Sequence, residues 1–253
     1  MRRGKDRKRA AAPLLLLGVS VGLLLFSTVG STRAALTYYS ENYAMEVTVG
    51  SIGVTLQENG TSVGYRNYIE DDWSDSGSGE LLTGLVPEGE SLLPGKRYGE
   101  QLSVLNSGAI DTYVRVILYR SWQDAQGGKL TELSPELIEF DFTENSGWIV
   151  DEKASTPERT VLYYTKVLPS QESTPALCQA VGISNDIYRE VEEVTVEETG
   201  EGKVFETRYR YDGCWMNVKA EVDAVQTHSA AQAIKSAWGV DVDVAADGTL
   251  GLR

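Results

Sequence analysis

IYREVEEVTVEETGEGKVFETRYRYD, residues 187–212, carries β-branched and aromatic residues on both sides of a glycine-containing break at 199–202. Such side chains suit a pleated, half-buried surface, and two runs of them around a turn predict a β-hairpin. Opposing Glu198 to Lys203 brings Val196 against Phe205 and Glu193 against Arg208. Apolar then meets apolar and acid meets base across the ribbon, which is what stabilises an antiparallel pair.

The same grammar recurs along the chain. Short alternating apolar runs, rich in Val, Thr and Tyr and separated by turn residues, predict a mainly β protein. A strand is expected over 101–105, a turn at Asn106-Ser107-Gly108, and a strand over 112–120. In the latter, Val114, Val116 and Leu118 would face the core, with Arg115, Ile117 and Tyr119 on a semi-exposed face. Tyr163, Tyr164 and Val167 fit a strand stopped by Pro169, and 217–224 gives another. Met45, Val47 and Val49 lie on odd positions, whereas Ile52, Val54 and Leu56 lie on even ones. A glycine-centred bulge at Gly50-Ser51 would keep both triplets on one core. One helix is expected, SAAQAIKSAWG at 229–239, with Ser229 as N-cap, Gly239 as stop, and Ala233, Ile234 and Trp238 on its buried stripe. Residues 240–253 read as a short strand and a tail. The stretch 65–80, YRNYIEDDWSDSGSGE, reads as a solvated acidic loop, because Asp71, Asp72 and Asp75 lack the one-three-five oxygen spacing of an EF-hand. No metal or cofactor is expected.

The amino terminus carries a separate message. MRRGKDRKR holds six basic side chains against one Asp, and an uncharged apolar run of about 17 residues follows over 10–26. That length lies between a long signal peptide and a minimal membrane span. The flank favours a signal peptide over 1–34, since Thr32 and Ala34 place small residues three before and one before the Ala34–Ala35 bond. Signal peptidase would then be a partner, with membrane contact confined to the leader before cleavage. The alternative is an uncleaved anchor with its basic cluster inside. The leader holds seven of the 23 basic residues and one of the 37 acidic ones, so the 219 residues from Ala35 would carry 16 bases, 36 acids and a net charge of −20. A field of that sign repels nucleic acid and anionic lipid.

Catalytic constellations are sparse. The single histidine, His228, rules out an HExxH zinc site, has no GxSxG partner, and reads as a solvent-facing residue before the helix. Glu192-Glu193 and Glu197-Glu198 are adjacent on a strand, so their members point to opposite faces and cannot flank one glycosidic bond. Tyr65, Tyr68, Trp73 and Trp122 sit in or beside expected loops, where they could stack on sugars in an adhesin-like module, or simply pack. Cys178 and Cys214 lack CxxC spacing. A possible disulfide between them would close a loop of about 37 residues and stabilise by a few kcal/mol; two buried free thiols fit as well.

Three stretches together resemble the TasA/camelysin family of secreted Gram-positive proteins. GSTRAALTYYSENYAMEVTVGSIGVTLQE (30–58) is similar to its cleavage site, aromatic-acidic segment and first strand. LLPGKRYGEQLSVLNSGAIDTYVRV (92–116) is similar to its central hairpin, and VKAEVDAVQTHSAAQAIKSAWG (218–239) to its late strand and helix. The resemblance implies a jelly-roll-like antiparallel β-sandwich with one short helix near the C-terminus, a single domain over 35–253 with insertions near 65–80 and 187–212. It implies SipW-type processing, secretion to the cell surface, and a role as a subunit or accessory of biofilm matrix or surface fibres. Partners would be like subunits or related matrix proteins. In such subunits a freed N-terminal segment completes the sheet of a neighbour. Here the candidate donor strand carries Tyr38, Tyr39, Tyr43, Met45, Val47 and Val49, unless it pairs as an ordinary first strand of its own domain. The camelysin branch implies protease activity, which the lone histidine does not support.

Overall fold

Alternation in Ile52–Glu58 sends Val54 and Leu56 inward, each 1% exposed, and leaves Thr55 and Gln57 half-buried. The same period-two logic builds every sheet of the computed structural model, which describes residues 51–253 apart from 70–71, 77–78, 83, 88–89 and 200–201. The leader, its processing site at Thr32, Ala34 and Ala35, and the candidate donor residues Tyr38, Tyr39, Tyr43, Met45, Val47 and Val49 lie outside the described residues, as does Gly50.

The strands are β1 (Ile52–Glu58), β2 (Thr61–Ile69), β3 (Asp72–Asp75), β4 (Gly79–Glu80), β5 (Arg97–Gly99) and β6 (Leu102–Asn106). They continue with β7 (Thr112–Gln123), β8 (Lys129–Leu130), β9 (Ile138–Phe142), β10 (Trp148–Val150), β11 (Arg159–Tyr164) and β12 (Cys178–Ile183). After β13 (Val191–Thr199), β14 (Gly202–Tyr209) and β15 (Trp215–Gln226) come helix α1 (Ala230–Trp238), β16 (Val242–Val244) and β17 (Leu250–Leu252). All pairings are antiparallel.

One layer runs β3-β2-β1-β6. Segment 171–177 extends it, since Thr174 N–H donates to Val104 O (2.8 Å) and Leu177 N–H to Leu102 O (2.7 Å), leading into β12 with β5 and β9 on its two sides. The second layer runs β10-β11-β7-β15-β4. Val54, Leu56, Leu102 and Val104 from the first meet Val116, Leu118, Leu162 and Val222 from the second in one buried cluster. The result is an antiparallel, mainly β arrangement of two packed layers with one helix near the C-terminus; the alternations predict the β content, and the layering fits the sandwich that the resemblance implies.

The outer face of β7 departs from expectation. Ile117 is buried rather than semi-exposed, and with Tyr113, Val161, Tyr163 and Val225 it forms a second core under α1 and the β16–β17 hairpin. α1 has nine residues, short for an isolated helix, and packing holds it: Ala230 and Ile234 are buried, and Trp238 lies on Tyr163 at 5.4 Å. Ser229 caps it by position only, with a φ of 51° and no side-chain cap bond, while Gly239 takes the left-handed stop at φ 72°. The expected C-terminal tail is the strand β17.

Two further readings are corrected. Residues 65–69 and 72–75 are strand rather than loop: β2 pairs with β3, with Tyr68 opposing Trp73 and their rings 4.9 Å apart. Acidic and Ser/Gly residues masked the alternation. In 187–212 the expected register holds from Glu193↔Arg208 to Thr199↔Gly202, but a bulge follows Val191. Glu192 therefore pairs with Arg208 at 3.2 Å although Glu193 is its register partner, so these two acids are not split cleanly between faces.

Candidate assembly surface

β15 pairs with β7 along all its residues, yet on its other side only Lys219 and Ala220 meet β4. Among the described residues nothing pairs with the outer edge over 221–226. That edge is roughly 20 Å of main chain at 3.3 Å per residue. Unpaired N–H and C=O groups in such a row are a template for another strand. Beside it lies a cleft of about 220 Å³ lined by Leu56, Tyr65, Arg66, Asp75, Glu221 and Val222, so β2 and β3 form the facing wall.

One carboxylate ties this wall to the second layer. Asp223, 8% exposed, accepts from Arg66 of β2 on one oxygen and from Arg115 of β7 on the other. Both guanidinium groups also lie over indoles, Arg66 on Trp73 at 4.9 Å and Arg115 on Trp238 at 5.1 Å.

The β13–β14 hairpin presents a second open surface, because its strands pair only with each other among the described residues. Val194, Val196 and Phe205 are 52%, 47% and 65% exposed, and the register places them on one face. A two-stranded ribbon with an uncovered apolar face is marginal alone and suited to gaining a neighbour.

A buried pair of acids marks the junction of β1, β6 and β12. Glu58, the last residue of β1, accepts from Leu82 N–H, and Glu100, just before β6, donates its own N–H to Gln179 O at 3.0 Å. Asn59 Nδ2 donates to Glu100 Oε2 at 3.1 Å, while Glu100 Oε1 is buried without a partner. Desolvation, then repulsion from the hydrogen-bonded Glu58, pushes the Glu100 carboxyl up to about 7. A carboxyl raised in the fold favours folding in acid, and that contribution fades as pH climbs from the ordinary value of 4.5 through about 7. Glu100→Gln should therefore stabilise the protein at pH 8 by roughly 3 kcal/mol and do little at pH 4, read from urea midpoints.

The remaining sequence candidates are dispersed. The possible disulfide is absent: Cys178 is buried, its thiol donating to Glu100 O at 3.4 Å, and Cys214 is a separate half-buried thiol. Burial pushes the Cys178 thiol up to about 12, which disfavours the nucleophilic thiolate. Trp122 is a core residue whose indole N–H donates to Ser134 O at 2.8 Å, and Tyr65 lies on the opposite face of β2 from Tyr68. The four aromatics thus make no shared sugar platform. His228 is exposed in the turn before α1. Neither the β15 edge nor the acid pair was read from the sequence. An edge depends on which strands lie beside it, and the pair joins residues 42 apart in the chain.

Comparison with protein-family models, with curated proteins and with solved structures finds no match to this chain.

Proposed function

We propose that the protein is a secreted, non-enzymatic structural component of the TasA-like kind, a subunit or accessory of extracellular matrix or surface fibres of a Gram-positive bacterium. Like subunits or related matrix proteins add a strand to it. The observation that carries this reading is the outer edge of β15 over 221–226, unpaired among the described residues and next to a cleft between the layers. An extended segment laid there would gain main-chain hydrogen bonds from the edge and pockets for alternate side chains from the cleft. Residues 35–49 supply a segment of that character, aromatic, β-branched and without proline. Each molecule offering one such segment and one edge makes a head-to-tail contact, which need not close into a ring.

The charge of −20 from Ala35 onward opposes association, so added salt or falling pH should promote it. Electron microscopy of protein starting at Ala35, across pH 4 to 7 and with or without salt, should show fibres that grow as charge is screened. Protein lacking residues 35–49 should stay monomeric and be capped by a peptide of that sequence. Monomers under every condition with the segment intact would remove the reading.

A further inference from the structure

Where the β13–β14 hairpin joins the sandwich lies a cavity of about 680 Å³, the size of a small-molecule site. Leu81, Leu85, Leu92, Ile183 and Met216 give it apolar walls. Trp122 and Tyr211, edge-on at 5.0 Å, add an aromatic surface, and Tyr188, Tyr209 and Trp215 also line it. Two of these aromatics are unusually open for their size, Trp215 at 65% and Tyr188 at 50% exposed.

The charged groups of the lining have one sign. Glu90 and Asp212 are both acids, and among the described residues no lysine or arginine contributes. Asp212 Oδ2 accepts from Tyr209 N–H at 3.0 Å, which holds its carboxylate in place, and Glu90 has no ion-pair partner among the described residues. The Cys214 thiol, also in the lining, reports the same negative surroundings: burial, followed by the carboxylates of Glu132, Asp212 and Asp124, holds it above its ordinary range.

We propose that this cavity binds a small organic cation, a basic group carried on an apolar or aromatic body. The body would leave water against the leucines, while the positive end would lie among ring faces and carboxylates. Aromatic faces attract cations within about 6 Å and do so more strongly once water is displaced. An anion of the same shape would face two carboxylates with no compensating base among the described lining residues. The cavity shares no lining residue with the cleft beside β15, so this inference stands apart from strand addition.

Calorimetric titration with 3-phenylpropylammonium, 3-phenylpropanol and 3-phenylpropionate tests it. The ammonium should bind saturably at one site, with the alcohol at least fivefold and the carboxylate at least tenfold weaker. The double variant Glu90→Gln/Asp212→Asn preserves shape and hydrogen bonding and should lose at least fivefold in ammonium affinity, with an unchanged circular dichroism spectrum. Trp215→Ala should weaken the ammonium as well. Equal binding of all three probes, no ammonium binding, or full ammonium affinity in the double variant would overturn the proposal.

Discussion

Asp223→Ala should lower the urea midpoint by the equivalent of about 3 kcal/mol, at the lower end of what breaking a buried ion pair costs. Asp223 is 8% exposed and both of its oxygens are used, one by Arg66 and one by Arg115. The two arginines do not lose equally. The Arg115 side chain is only 15% exposed, so without its carboxylate it is a charge held among Tyr163, Trp238 and the second core. Arg66 is 41% exposed and can turn to water, so its share of the loss is screened and small. Asp223→Asn, which keeps shape but removes charge, should cost nearly as much. Arg115→Met in the Asp223→Ala background should restore part of the loss, because it removes the stranded cation. A double variant no more stable than Asp223→Ala would show that the carboxylate acts through packing alone.

Asn106→Ala should cost about 1–3 kcal/mol, because it strips the Ile110 carbonyl of its partner and takes one of two bonds from Leu168 O and Gly108 N–H, which keep Thr112 N–H and Gly53 O. The side chain is fully buried: Nδ2 donates to Ile110 O at 2.8 Å and to Leu168 O at 2.9 Å, and Oδ1 accepts from Gly108 N–H at 3.0 Å. One amide thus joins the end of β6, the turn into β7 and the strand-like segment after β11. Asn106→Asp should be about as damaging at pH 8, since the carboxylate cannot donate to either carbonyl. Differential scanning calorimetry of both variants gives the loss. A shift of less than a degree in either melting temperature would mean that water replaces the amide.

Asn106-Ser107-Gly108 also shows how far a local signal reaches. The tripeptide predicts a turn, and a turn is there. Its glycine, however, is required by contact: a Cβ on Gly108 would lie 2.5 Å from Ser51 O and from Gly53 N, both at the start of β1. That neighbour is more than fifty residues away in the chain, so the reason for the glycine is tertiary although the turn is local.

Strands such as β1, β6, β7 and β15, the β13–β14 register and the place of α1 were legible in the sequence because each rests on periodicity and turn residues within a few positions, whereas the acidic and Ser/Gly residues of 65–80 hid β3. A strand repeats every two residues, so a slip of one between β13 and β14 would put Val194 and Val196 on the face opposite Phe205. Four features depended on how distant segments meet. They are the covering of Ile117 in the second core, the edge of β15 left unpaired among the described residues, the Glu58–Glu100 pair, and the separation of Cys178 from Cys214. Alternation says which side of a strand is apolar, but not what lies against that side or along that edge. Those depend on the path of the chain between elements, which short-range patterning leaves undetermined.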